Sequence, residues 1–323
     1  MRAVIIDEFG GPEVLKQALL PRPEPAETQL LVKVFACGVN PVDYKIRKGM
    51  IPMDFSFPLI LGYDVSGVVE AVGPSVVDFQ IGDEVFYSPE LLGQGAYAEY
   101  QVVDEGIVAL KPAGLSHVEA ASLPLAGSTA WQALFDRAGI QGADCVLIHG
   151  GAGGVGSMAV QLAAWAGCEV ISTASAKNRR FVEDLGADMV IDYRAKDFVN
   201  AVLAATEGRG ADVILDTVGG DVLVKSFAAL APHGCMVSVS PENLQEASLG
   251  ALQQAFYKNA ELHCLFMERK RESLDGLARL IERGFIEPVL DQVLPLDRVA
   301  RAHERLETTH GRGKIVLQIV DQG

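Results

Sequence analysis

Hydrophobic and polar positions follow two different rhythms along this chain. Through the first 115 residues the apolar runs are short and punctuated by Gly and Pro: RAVII, LLVKVFA, VSGVVEAVG, DEVFY, YAEYQVV and GIVALK. Runs of this length predict β-strands with few long helices. From about Ser116, strand-length apolar runs alternate with helix-length segments: CVLIH, GVGSMAVQLAAWAG, CEVISTA, KNRRFVEDLGA, DMVIDY, KDFVNAVLAAT, ADVILDTVG, DVLVKSFAALA and GCMVSVS. Such alternation predicts a parallel sheet with helices on both faces. After Gly284 the rhythm changes again, to EPVLDQVLP, a helical DRVARAHERLE and the strand KIVLQIV. The simplest organisation is a β-rich domain over residues 1–117, an α/β domain over 118–285 and a return to the first domain over 286–323.

Composition narrows the partners. A chain of 323 residues exceeds one ordinary hydrophobic core, and 49% hydrophobic content suffices for two. A net charge of -15 repels phosphate backbones and anionic headgroups, so nucleic acid and membrane surfaces are excluded in favour of a small-molecule ligand. The five cysteines form no CxxC pair and sit mostly in apolar surroundings, the pattern of reduced core thiols. MRAVIIDEFG has too short an apolar run for a signal peptide, and a cytoplasmic location is expected. Cys145 to Cys168 carries no Asp, Glu, Lys or Arg, but its glycines, His149 and Gln161 indicate a buried strand, loop and helix rather than a membrane span.

The glycines of HGGAGGVG follow a strand and open a helix, with Gly151, Gly153 and Gly156 spaced as GxGxxG and Gly154 and Val155 completing the loop. A lone GxGxxG is weak, whereas strand, glycine loop, helix and further βα units together form a dinucleotide fingerprint. The glycines allow a tight turn, close approach to a pyrophosphate and close helix packing, and the helix N-terminus offers N–H groups to phosphates. An NAD site usually ends its second strand with an acid on the ribose hydroxyls. Here that strand runs into Ser175 and Lys177, then Arg179 and Arg180, with no acid, which favours NADPH as cofactor. The two arginines also read as solvated charges on a helix.

A second polar cluster, GVNPVDYKIRKG at 38–49, gathers Asn40, Asp43, Tyr44, Lys45 and Arg47 with no His or Cys. Together with LILGYDVSGVV, IGDEVF, GAYAEY, LPLAGSTAWQAL, GAGGVG, LGADMVIDY, ILDTVGG and GRGKIVL, it makes the chain resemble the medium-chain dehydrogenase/reductase superfamily over nearly its whole length. The resemblance implies an α/β protein: a GroES-like β-rich catalytic domain with a Rossmann doubly wound parallel-sheet domain inserted. The zinc alcohol dehydrogenases of that superfamily carry metal ligands where this chain has Asn40, Tyr63 and the neighbourhood of Leu125, and none is present. The structural zinc lobe is missing too. The chain is therefore similar to the zinc-independent quinone oxidoreductase and enone reductase branch, and no metal is expected.

The resemblance implies transfer of a hydride from NADPH to a quinone or to the C=C of an α,β-unsaturated carbonyl. Charge then develops on the acceptor oxygen, and without zinc the site must supply donors. Asn40, Tyr44, Lys45 and Tyr63 are the candidates. Each has a plainer reading: Asn40 before Pro41 is also a helix cap, Tyr44 a core aromatic, Lys45 a solvated helix lysine. Thr129, read as lying near a helix start, resembles a residue facing the nicotinamide, Tyr193 one packing near the adenosine phosphate, and Val239, Leu265 and Met267 strand-end contacts to the nicotinamide. His149 reads as structural, since no catalytic partner is evident. The resemblance also implies a homodimer. A non-catalytic NADPH-binding redox sensor or structural protein and an enoyl-thioester reductase are the alternatives. Acceptor size is expected to depend on the stretches 47–58 and 240–256.

Overall fold

The computed structural model describes residues 1–240, 249–308 and 311–320. Within the stretch 240–256, residues 241–248 lie outside the described residues. In chain order the first strands and helices are β1 (Arg2–Ile6), β2 (Lys16–Leu19), β3 (Gln29–Val39), α1 (Pro41–Arg47), β4 (Leu59–Ile60), β5 (Asp64–Val72), β6 (Glu84–Tyr87), β7 (Tyr100–Asp104), β8 (Ala109–Leu110), α2 (His117–Ala120) and α3 (Pro124–Trp131). There follow β9 (Cys145–Ile148), α4 (Gly154–Trp165), β10 (Glu169–Ala174), α5 (Arg179–Asp184), β11 (Met189–Asp192), α6 (Phe198–Ala205), β12 (Ala211–Asp216), α7 (Gly220–Ala229), β13 (Leu230–Ser238), α8 (Leu249–Lys258) and β14 (Glu261–Cys264). The remainder holds α9 (Arg271–Glu282), β15 (Leu290–Pro295), α10 (Val299–Thr308) and β16 (Lys314–Gln318).

The chain forms two compact units, one of residues 1–128 with 268–323 and one of residues 129–267. Residues 118–128 and 268–285, expected in the second domain, pack with the first. The reason is local: α2 lies on β3 and β5, and α9 lies beside β8. Leu277 of α9 is the residue that a Cβ at Gly127 would strike, at 2.7 Å.

In the first unit a seven-stranded sheet runs in the order β15-β16-β3-β5-β6-β8, with β7 also on β3, and β2-β1-β4 forms a smaller sheet. The eleven residues of β3 carry the register, pairing antiparallel with β5, β7 and β16. Leu30, Val32, Val34 and Ala36 are fully buried along it. In the second unit the order β11-β10-β9-β12-β13-β14 is parallel throughout, with helices as the crossovers. Its strands Val146–Ile148 and Ile214–Leu215 are buried on both faces, which is why they read as unbroken apolar runs. No helix among the described residues is long and apolar enough to cross a membrane.

Candidate active site

Helix α1 starts as the Asn-Pro pair predicts. Asn40 has extended backbone, Pro41 occupies the first helical position, and the Asn40 N–H donates to Asp43 Oδ2 at 2.7 Å. The Asn40 side chain, however, turns into the protein. Its Nδ2 donates to Asp64 Oδ2 at 2.8 Å, and its Oδ1 accepts from the Lys314 ammonium. Lys314 also donates to Asp64 Oδ2 at 2.7 Å, and Asp64 Oδ1 accepts the Leu125 N–H at 2.5 Å. All three side chains are buried. Strand register explains the meeting: Ile315 pairs with Val39, which sets Lys314 beside Asn40, and Gly38 pairs with Asp64. A Cβ at Gly38 would run into the Ala121 carbonyl and come within 2.9 Å of the Asp64 carboxylate. Glycine there is what lets the carboxylate lie against β3.

Asn40 thus caps α1, as one sequence reading has it, and its amide is engaged at each end with buried charge. Tyr63 is also committed: it is buried, and its hydroxyl donates to the Leu91 carbonyl at 3.1 Å. Burial, and then the Asp43 charge, push its phenol well above the usual range. Tyr44 and Lys45 differ in being half-buried on α1, with the Lys48 ammonium 5.7 Å from the Tyr44 ring. Of the four candidate donors, these two retain a solvent-facing part. A cleft of about 830 Å³ elsewhere on this unit, lined by Arg2, Lys33, Glu99 and Gln318 among others, contains none of the four.

Beneath α1 runs a second buried chain of hydrogen bonds. Arg47, fully buried, donates from Nη1 to His303 Nδ1 at 3.2 Å and from Nη2 to Glu307 at 2.5 Å. Arginine only donates, so His303 accepts at Nδ1 and carries its proton on Nε2. Nε2 lies 3.1 Å from the Tyr97 hydroxyl, which in turn donates to Asp43 Oδ2 at 2.8 Å. Burial and the Arg47 charge lower the His303 pKa to about 3, so the ring is neutral. Burial raises the Asp43 pKa to about 7, against the lowering influence of the Asn40 N–H, the Tyr97 hydroxyl and Lys314. Asp43 Oδ1 is buried without a hydrogen-bond partner.

In the second unit the glycine loop has the form its sequence requires. The Gly151 N–H donates to the Thr173 carbonyl at 3.1 Å, the Gly153 N–H to the Gly150 carbonyl at 2.9 Å, and α4 begins at Gly154. A Cβ at Gly156 would collide with the Gly150 carbonyl, so the helix start lies directly on the loop. The first-turn N–H groups of Gly154, Val155 and Gly156 have no acceptor within the helix and form an anion cradle. At the end of β10 the buried Ser175 precedes a short 3₁₀ turn bearing the exposed Lys177, with no carboxylate in the turn. Backbone N–H groups, a hydroxyl and an ammonium suit an anionic dinucleotide. Arg179 and Arg180 instead pair with Glu183 and Asp184 one turn on, at 3.7 and 2.9 Å, as a solvated helix face does.

The remaining candidates are spread around this sheet. Tyr193 is 46% exposed just beyond β11, with Arg194 at 5.6 Å from its ring. Val239 is half-buried one residue beyond β13, and Leu265 and Met267 are buried beyond β14. Thr129 is buried inside α3 and not at a helix start, because the helix already begins at Pro124. His149 is a brace: Nδ1 lies 3.2 Å from Thr173 Oγ1 and Nε2 2.9 Å from Ser226 Oγ, and burial lowers its pKa to about 4. Sequence reasoning missed two members of this cluster, Asp64 and Lys314. Lys314 is 274 positions from its partner Asn40, and its only local signal was a lysine opening an apolar strand.

Both units match known proteins. Residues 26–113 match the alcohol dehydrogenase GroES-like domain and residues 185–317 the zinc-binding dehydrogenase family. Human quinone oxidoreductase is 34% identical over 320 residues, 97% of this chain and 95% of that one. The structure of the quinone oxidoreductase from Coxiella burnetii superposes with a TM-score of 0.89 at 37% identity, covering 99% of each chain. A mycobacterial protein solved with NADPH superposes at 0.88 with 31% identity, covering 99% of this chain and 100% of its own.

Proposed function

Because this chain belongs to the quinone oxidoreductase branch of the medium-chain dehydrogenase/reductase superfamily, we propose that it is a zinc-independent, NADPH-dependent reductase of quinones or of the C=C of α,β-unsaturated carbonyls. The observation that carries the reading is the Lys314 ammonium, held between Asn40 and Asp64. Of the three places where zinc enzymes have ligands, Asn40 binds this ammonium, while Tyr63 immediately precedes Asp64 and Leu125 donates to it. A cation supplied by the chain itself balances the buried carboxylate there, and the Asn40 amide and Leu125 N–H donate to the same carboxylate.

The bound cofactor supplies a hydride from C4 of its nicotinamide. Its phosphates are assigned to the N–H groups of Gly154, Val155 and Gly156, its 2′-phosphate to Ser175 and Lys177, with Tyr193 near the adenosine. Thr129, Val239, Leu265 and Met267 are assigned to the nicotinamide side. Tyr44 and Lys45 then donate to the acceptor oxygen as charge develops on it. Asn40, Asp64 and Lys314 hold the start of α1, and with it these two donors. A homodimer in the cytoplasm is part of the proposal.

The test is NADPH and NADH oxidation against quinones, enals, enones and enoyl thioesters. Turnover of a quinone or enone with preference for NADPH is expected. Tight NADPH binding with no turnover of any acceptor would overturn the catalytic reading in favour of a sensor, and equal use of both cofactors would overturn the NADPH assignment.

A further inference from the structure

The second unit brings together three metal-ligating side chains that lie far from the glycine loop in sequence. β13 and β14 pair in parallel, with Cys235 opposite Glu261 and Val237 opposite His263. Side chains alternate across a sheet, so Cys235, Glu261 and His263 share one face. Met236 takes the other face and packs in the core with Ala251 and Leu223. The ligating atoms of the three all lie within 4.8 Å of one another, and His263 Nε2 is 3.4 Å from Glu261 Oε2. β14 ends the sheet order, so this cluster stands at the sheet's border.

We propose that Cys235, Glu261 and His263 form a binding site for a divalent transition-metal ion of the zinc or cobalt type, separate from the hydride-transfer site. The ion of a tetrahedral site holds S, N and O donors at about 2.0–2.3 Å, which spaces the donors roughly 3.5 Å apart. The His–Glu pair already has that spacing, and the Cys235 sulfur lies within 4.8 Å of both ligand atoms. One sulfur, one imidazole nitrogen and one carboxylate oxygen are the borderline-soft set that zinc and cobalt accept, not the all-oxygen set of magnesium or calcium. Glu261 and His263 are 70% and 35% exposed, which gives the ion an entry path and leaves the fourth position to water.

The thiol of Cys235 is buried, with the Glu261 carboxylate close by. An anion in that place is disfavoured by its carboxylate neighbour, and a divalent cation between them reverses the sign of that interaction. A metal ion binds cysteine as the thiolate, so binding displaces the thiol proton. The sequence expectation is that the chain binds no metal, and this proposal departs from it; the donor set becomes apparent only when two strands come into register. It does not depend on the proposed reaction.

The experiment is titration of untagged, metal-stripped protein with Co²⁺, followed by displacement with Zn²⁺. One Co²⁺ per chain with a thiolate-to-cobalt charge-transfer band is expected, with about one proton released per ion. Cys235→Ser should abolish the band, and His263→Ala and Glu261→Gln should each weaken binding at least about tenfold. Cys264→Ser, which alters the exposed neighbouring thiol, should keep the band. Absence of a band at millimolar Co²⁺ would overturn the proposal, as would a band that survives Cys235→Ser or is lost in Cys264→Ser. Circular dichroism of each variant separates loss of the site from loss of the fold.

Discussion

Asn40 and Tyr63 show how far single residues can be read. Both were identifiable as places where a metal is absent, but what each does depends on a partner the sequence does not mark: Lys314 for one, the Leu91 carbonyl for the other. The buried network and the half-buried helix face should therefore respond differently to substitution. Lys314→Met strands the Asp64 carboxylate, and loss of one partner of a buried ion pair costs about 3–5 kcal/mol. Urea unfolding should show that loss, and adding Asp64→Asn should cost less than the sum of the two single changes. Lys45→Met should leave the urea midpoint nearly unchanged and lower kcat on an enone by about 10² to 10³. An unchanged kcat would assign the lysine to the helix surface and the donor role to Tyr44. Tyr63→Phe should cost about 1–3 kcal/mol of stability for the unpaired Leu91 carbonyl, with kcat retained.

Elements were more legible than the residues that join them. The Asn-Pro start of α1 and the glycine start of α4 follow from backbone rules, and both form as expected. α3 begins at Pro124, a residue suited to the first helical position, so Thr129 lies in the helix interior and not at its start. At β10, removal of Lys177 should raise the KM for NADPH by the equivalent of roughly 1–3 kcal/mol and leave NADH nearly unaffected. α1 carries the pH prediction. Asp43 holds its proton up to about pH 7 in the fold, against an ordinary value of 3.8. The folded protein therefore binds more protons than the unfolded chain between those values, and this contribution to stability is full below about pH 4 and lost as pH rises towards 7. His303 and His149 act in the opposite sense, losing stability as pH falls below about 6.5. Because the histidines are common to both proteins, the difference in unfolding free energy between wild type and Asp43→Asn should isolate the carboxyl. That difference should change steadily from pH 4 to 7, and a flat difference would place the Asp43 pKa near its ordinary value.

For the whole molecule, the change of rhythm after Gly284 is matched by β15 and β16, which join the sheet of the first unit. β16 lies inside that sheet, between β15 and β3, and brings Lys314 with it. A ribosome releases these pieces in a fixed order: residues 1–128, then all of 129–267, then β16. The second unit is continuous in sequence and has all its strands before the first does. Until β16 arrives, the Ala36–Val39 end of β3 lacks a partner on one side and Asp64 lacks the Lys314 ammonium, so the first unit waits with an incomplete strand edge and a carboxylate without its ion-pair partner. Nascent chains exposed outside the ribosome to between residues 267 and 313 should protect the second unit from protease while the first is still cleaved, and release of β16 should close that difference. The residue proposed to replace a metal thus also acts as a completion signal, since the donor-bearing helix gains its buried counter-charge only in a chain translated through β16.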